Sequence, residues 1–376
     1  MTGPRSSTFS IPTGPLRFLR TLPVAAILTR LLAVVFVLLM ACVVVPIGMV
    51  LYMSVWSKPV GVAGGHFTWE HYAYVLTDAS ALPLLLNTLI YTVGAGVGAT
   101  LLATLLAWIV TSTDVPFPRL MKLLPLAPTL LPGLTKDTAW IVLYSPRSGL
   151  VNVQGQALFG LGGPLFDVFT MTGMIVTTAF SLAPIPYVIM LVAFGSMGRS
   201  HEEASRIAGA GRLQTLLRVQ VPGVRPALLS SLALSTILVA LSFETPVLIG
   251  EPGGVRTYMS AIFGSVAGSM NPDYNLAAAQ SLVYLVLSLG LLAWYLHATK
   301  AERRFAVVTG RGYAKGRPMA MGPWRWLLVA FVLAYFVVAF LQLITITCLL
   351  SLVPFYTASA GWPFTNLSFD SYATVF

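Results

Sequence analysis

The chain is poor in charge: of its 376 residues, 22 are Lys or Arg and 12 are Asp or Glu, together 9%. Soluble domains carry about 25% charged residues. So few charges cannot build a water-facing surface for a chain this long, which excludes a soluble enzyme, a disordered tail and a collagen-like rod. Cysteine is nearly absent as well. Cys42 and Cys348 lie far apart, each inside an apolar run, so neither a disulfide framework nor a metal cluster is expected and both read as small hydrophobes. The four histidines, His66, His71, His201 and His297, have no ligand spacing, and no metal site is expected. No Gly-x-x-x-x-Gly-Lys-Ser/Thr run occurs, so the chain does not bind ATP in the usual way, and no cofactor is expected on it. No Ser/His/Asp set lies within plausible reach, and no catalytic residue is assigned.

Apolar residues make up 57% of the chain, and they fall in runs. A bilayer-crossing helix needs roughly 20 apolar residues. Seven stretches approach that length, near 31–55, 87–111, 120–144, 171–197, 227–249, 276–298 and 325–354. The first is too long for a signal-peptide core and lacks a small-residue cleavage site, so it reads as a retained anchor. The basic residues alternate between the connections. Four precede the first span, two lie between the second and third, five between the fourth and fifth, and seven between the sixth and seventh. Only Lys58, Lys136, Arg147 and Arg256 fall on the other side. The positive-inside rule places the arginine-rich connections and the N-terminus in the cytoplasm. The same spread excludes nucleic acid, because no basic patch with interleaved aromatics forms.

The chain repeats itself. Leu31-Leu32-Ala33-Val34-Val35-Phe36 returns in character as Leu327-Leu328-Val329-Ala330-Phe331-Val332, and Phe67-Thr68-Trp69-Glu70-His71-Tyr72 returns as Leu367-Ser368-Phe369-Asp370-Ser371-Tyr372. Repeats of this kind set the architecture. The expected organisation is a cytoplasmic tail over 1–30, a first unit of six spans over 31–305, a cytoplasmic linker over 306–324, and the start of a second, truncated unit over 325–376. On that reading the seventh span is the orphaned first helix of a half that is mostly missing.

The connection between the fourth and fifth spans reads Glu202-Glu203-Ala204-Ser205, then Gly209-Ala210-Gly211, then Val219-Gln220-Val221-Pro222. Apolar residues at 213, 216, 217 and 221 keep helical spacing, and the acidic pair suits a helix N-terminus. Gly209 and Gly211 divide the run into two short helices, and Pro222 ends the second. A helix, a sharp turn and a helix at the membrane face form a docking element.

This stretch resembles the signature of the integral-membrane permease subunits of binding-protein-dependent ABC importers: Glu-Ala-Ala, three residues, Gly, about nine residues, and Ile-x-Leu-Pro. Here Ser205 stands for the second Ala, and Val219 and Val221 stand for Ile and Leu. Further similarity to the iron(III)-type fused permeases is carried by Asn87-Thr88, Ala107-Trp108, Thr113-Asp114-x-Pro116, the run from Tyr144 to Asn152, and Phe243-Glu244-Thr245-Pro246-x-x-x-Gly250. The resemblance implies an all-α, polytopic transmembrane bundle with the type I importer permease fold in a bacterial inner membrane. It implies two ATPase subunits that hold ATP and Mg, an extracytoplasmic binding protein, and a second permease half or chain. It makes the 202–222 segment the coupling helix, with Glu203 and Gly209 central to the ATPase contact, and ferric iron the first expectation for cargo. Polyamine, thiamine and phosphonate permeases are built similarly. An ion-coupled secondary transporter is the competing class, against which the parallel sense of the repeat argues.

Ionisable residues at membrane depth are functional candidates. Lys136 and Glu244 each lie about 16 to 17 residues from the cytoplasmic ends of their spans, roughly 25 Å across at 1.5 Å per residue. Lys136, Asp137 and Glu244 are therefore expected to pair at one level and to line the translocation path or its gate. The alternative is that Lys136 and Asp137 snorkel to the outer interface while Glu244 caps a break at Pro246. Pro125, Pro128, Pro132 and Gly133 must kink or break the third span, and such breaks persist in a membrane only beside protein or a wet cavity. Gly94 and Gly98 allow close helix contact.

Overall fold

The computed structural model describes residues 23–160, 162–197, 204–205, 207–268, 271–300, 319–353 and 367–375. Among the described residues the architecture is helical, with only two isolated bridges, Trp56–Phe67 and Thr113–Met319. Four helices are long and apolar enough to cross a bilayer: α1 (Pro23–Ser54), α3 (Ala81–Ser112), α12 (Tyr274–Lys300) and α13 (Trp324–Ser351). A short α2 (Glu70–Thr77) separates the first two. Two further spans are bent pairs. Met171–Leu182 (α7) meets Pro184–Ser196 (α8) at 52°, where the two prolines at 184 and 186 interrupt the ladder, and Arg212–Gly223 (α9) meets Arg225–Leu241 (α10) at 72°.

Against the seven apolar stretches expected, four continuous spans, or six with the bent pairs, lie among the described residues. The third expected span is not one helix. It runs as α4 (Pro118–Leu123), a 3-10 turn over Leu124–Leu130, an extended Leu131 and then α5 (Gly133–Tyr144). Pro125 and Pro128 lie in the 3-10 turn, and Pro132 precedes α5, so the amide donors an α-helix needs are absent three times within eight residues. The fifth span ends at Leu241, not near 249. Ser242 is extended, and Pro246 opens a separate π-helical turn over Pro246–Gly250. Outside the spans lie α2, α6 (Leu150–Phe159) and α11 (Tyr258–Ala267).

Helix α3 is the central post. Between helices in lipid, tight backbone approach replaces the hydrophobic drive of water. Gly94 and Gly98 face α7, where added Cβ atoms would sit 2.8 Å from Ile175 and 3.0 Å from Ala179. Gly96 faces α10, 3.0 Å from the Thr236 Cα. Around this post lie three apolar clusters, built on Leu106, Tyr187 and Met190, on Tyr91, Met174 and Ile249, and on Val75, Tyr258 and Tyr284. Helix α1 contributes nothing to them, since its apolar window is 0% buried, an exposure that costs nothing among lipid tails.

Helix α13 packs against the rest of the bundle. Val332 and Tyr335 enter the first cluster and Leu343 and Ile346 the second, the Tyr335 hydroxyl donates to the Phe180 carbonyl at 3.1 Å, and the Tyr144 hydroxyl donates to Gln342 Oε1 at 2.9 Å. The ends of α1 and α13 are built alike. Ser54 Oγ donates to the Leu51 carbonyl at 2.8 Å and accepts from the Tyr72 hydroxyl at 2.9 Å, while the Glu70 amide donates to Thr68 Oγ1 at 3.1 Å. Ser351 Oγ donates to the Cys348 carbonyl at 2.7 Å, meets the Tyr372 hydroxyl at 2.8 Å, and the Asp370 amide donates to Ser368 Oγ at 3.1 Å, opening α14 (Asp370–Val375).

Candidate functional site

Two places concentrate the candidate residues: the connection before α10, and a polar cavity beside α5. In the first, Glu202, Glu203 and Arg206 lie outside the described residues. Ala204 and Ser205 are helical, and the turn closes with the Ala208 amide donating to the Ala204 carbonyl and the Ala210 amide to the Ser205 carbonyl, both at 3.0 Å. Gly209 takes φ +81° to allow that closure, a conformation that only glycine adopts without strain. Ser205 Oγ then meets Thr215 Oγ1 at 3.0 Å, folding the turn back onto α9.

Helix α9 has two unlike sides. Thr215 and Gln220 are 0% exposed, and the Trp108 indole nitrogen donates to Gln220 Oε1 at 2.6 Å, fixing α9 to the end of α3. A π turn over Leu216–Gln220 rotates Gln220 inward to make that bond. Val219 and Val221 are half-buried, whereas Pro222 is exposed just before the bend at Val224. On the outer side Ile207, Leu213 and Leu217 are 88, 67 and 57% exposed. The segment is also tied forward along the chain. The Met321 amide donates to Asp114 Oδ1 at 2.7 Å, the Met319 amide to the Ser112 carbonyl at 2.9 Å, and Arg212 Nη1 to the Met321 carbonyl at 3.3 Å. The Thr113-Asp114 motif thus holds the strand of chain that leads into α13.

The second place is a cavity of about 130 Å³ between α5, α7, α10 and the turn at 244–245. Lys136, Asp137 and Glu244 all line it. Their direct pairing is corrected: no ion pair within 4.0 Å joins them among the described residues. Lys136 and Asp137 are adjacent on a helix and point apart. Lys136 Nζ reaches the Ser181 carbonyl at 3.5 Å, and Asp137, only 3% exposed, accepts from Thr245 Oγ1 at 2.9 Å. Asp137 therefore does not snorkel. Glu244 lies over Gly133, where an added Cβ would sit 1.8 Å from Glu244 Oε2, so its carboxylate rests at the positive end of α5. Pro132 and Gly133 open α5 here, so the helix break creates the cavity floor.

The outer motifs are scaffolding. Asn152, fully buried, donates to the carbonyls of Tyr144, Ser145 and Phe166 and accepts from the Phe166 amide. Asn87 Nδ2 donates to the Arg256 carbonyl at 3.0 Å, and Thr88 Oγ1 accepts the Tyr258 amide at 3.0 Å, where Thr257 and Ser260 form a capping box. Sequence reasoning gave Gln220 and Thr245, both inside quoted motifs, no role of their own and missed Ser181, a polar residue inside an apolar run. No His/Cys/Asp/Glu group able to hold a metal occurs among the described residues.

No family model matches the chain. It is 28% identical over 234 residues to a protein of Salmonella typhi named as a 2-aminoethylphosphonate transport system permease, covering 62% of this chain and 80% of that one. It is 28% identical over 232 residues to the sulfate transport system permease of Escherichia coli, covering 60% and 79%, and 24% identical over 251 residues to a ferric transport system permease of Haemophilus influenzae, covering 66% and 39%. Among solved structures, a chain of a bacterial ABC transporter that imports alginate matches with TM-score 0.61 at 16% identity, over 77% of this chain and 99% of that one. The chain thus has the fold of an ABC importer permease, and its sequence relatives are transport-system permeases.

Proposed function

We propose that this chain, a membrane permease of the binding-protein-dependent ABC importer kind, carries solute inward when a separate ATPase pushes on residues 202–222. The carrying observation is the two-sided α9, clamped inward through Gln220 and Trp108 and presenting Leu213 and Leu217 outward. A short helix that exposes two leucines among Arg212, Gln214 and Arg218 transmits force from a partner to α3 and α10. Strain does not dissipate between them, because packed interiors have discrete arrangements. ATP and Mg belong on the two ATPase subunits, whose closure biases the helices between inward-open and outward-open states. An extracytoplasmic binding protein supplies cargo at the outer helices.

Residues 325–376 begin a second permease unit on this reading, with 31–305 as the first and 306–324 as the linker. The matched serine-tyrosine junctions after α1 and α13 support it. The bare surface of α1 then awaits a second permease unit. For cargo we favour a small solute with an acid group, because the phosphonate and sulfate relatives match over about four-fifths of their length. Ferric iron is the second reading, favoured by the ferric relative, of which this chain covers 39%.

The test is uptake into proteoliposomes holding this chain, a second permease unit, the ATPase and the binding protein. Uptake should require ATP and all four components. Uptake that runs on an ion gradient without the ATPase would make the chain a secondary transporter instead.

A further inference from the structure

The cavity beside α5 holds more unmet chemistry than a gate requires. It presents two carboxylates, Asp137 and Glu244, that no described cation pairs with inside 4.0 Å, and one ammonium, Lys136, turned toward a carbonyl. Ser181 Oγ, on the same wall, is buried with no hydrogen-bond partner among the described residues. Buried polar atoms are nearly always paired, and Ser181 Oγ is a polar atom of this wall that the described residues leave without a protein partner. A volume of about 130 Å³ accommodates several waters or a small solute. Asp137, Glu244 and Lys136 carry a formal charge of about −1 when ionised. The wall thus sets two acid groups against one ammonium, so the favoured guest is positive at one end.

We propose that this cavity binds a protonated primary amine, either a free small amine or the amino end of a zwitterionic solute. An ammonium brings three donors, and the two carboxylates on the cavity wall, each with several acceptor sites, can take them. A hard divalent metal would need six or more oxygen ligands and would face the Lys136 ammonium, so it fits less well. In a zwitterion the acid end meets Lys136. The inference deepens the permease reading and rests on it for its purpose.

The experiment is calorimetric titration of the full chain in nanodiscs, without ATPase, using ethanolamine, β-alanine and propionate as probes. Because no transport is read, a failure of the permease reading leaves the result interpretable. Ethanolamine and β-alanine should bind and propionate should not. Asp137→Asn, which keeps an acceptor for Thr245, should weaken amine binding at least tenfold, and Glu244→Gln provides a second variant should the first fail to fold. Lys136→Met separates the two sources. Weakened β-alanine with unchanged ethanolamine assigns a zwitterion, and tightened ethanolamine with unchanged β-alanine assigns a free amine. Propionate binding as well as the amines, absence of amine binding at millimolar concentration, or unchanged amine affinity in both folded carboxylate variants would overturn the proposal.

Discussion

Replacing Leu213 and Leu217 together by Asp should remove the ATPase from the purified complex while leaving the chain in the membrane. The two leucines are four residues apart on α9 and share one face, and they are 67 and 57% exposed on the side where the arginine-rich connections lie. Burying a leucine is worth about 1.5–3 kcal/mol, so losing two at an interface, and placing charge there, weakens capture by about 100-fold or more. The inner face of α9 is untouched by these changes, because Thr215 and Gln220 hold it to Ser205 and Trp108. Chain yield and thermal stability should therefore stay near the parent's. Co-purification of ATPase at parental stoichiometry would show that α9 faces lipid, not protein. Gly209→Val gives a milder version of the same result. Its Cβ would enter open space, but φ +81° costs a β-branched residue about 1–2 kcal/mol.

Asn152→Leu should be the most destabilising single change at the outer face. Four polar contacts converge on that one amide, its two N–H groups shared among three carbonyls and its oxygen accepting from the Phe166 amide, at a residue with no exposure. Leucine branches alike but leaves the Phe166 amide and carbonyl without this partner, while the Ser145 and Tyr144 carbonyls keep the Gly149 and Val168 amides. Each buried group left unsatisfied costs about 1–3 kcal/mol, and partial rescue by backbone shifts or water puts the total on the order of 3–5 kcal/mol. The corner from Tyr144 to Phe166 also positions Val168 and the Gly173 start of α7, where an added Cβ would lie 2.1 Å from the Val168 carbonyl. Loss of Asn152 should lower the melting temperature of the detergent-purified chain by several degrees and raise protease cleavage between 145 and 170. A melting temperature within one degree of the parent's would show that the corner is held by other contacts.

Much of the site was legible in the sequence, and the reasons differ by residue. Prolines act locally, so Pro125, Pro128 and Pro132 announced the broken third span without any knowledge of its neighbours. Lys136, Asp137 and Glu244 were visible because charge at membrane depth is rare, and the cavity does collect all three. Their pairing was not legible. It depends on side-chain direction, and Thr245 and the Ser181 carbonyl, both from other elements, took the places expected for counter-charges. Hydropathy located the apolar runs but not the bends of 52° and 72° in the two helix pairs. The second small-residue contact, Gly96 against Thr236, escaped because small residues are common in membrane helices and only packing shows which face is used. The clamp of Trp108 on Gln220 joins residues 112 apart, a distance across which one sequence carries no signal.

The central claim is that the segment around α9 faces the cytoplasm and seats an ATPase. Cysteine placed at Leu213, in a chain whose Cys42 and Cys348 have been changed to Ser, can be probed with a membrane-impermeant maleimide. The account predicts labelling in inside-out vesicles only, and protection when the ATPase is added. Labelling of intact right-side-out vesicles, or no protection by the ATPase, would contradict it.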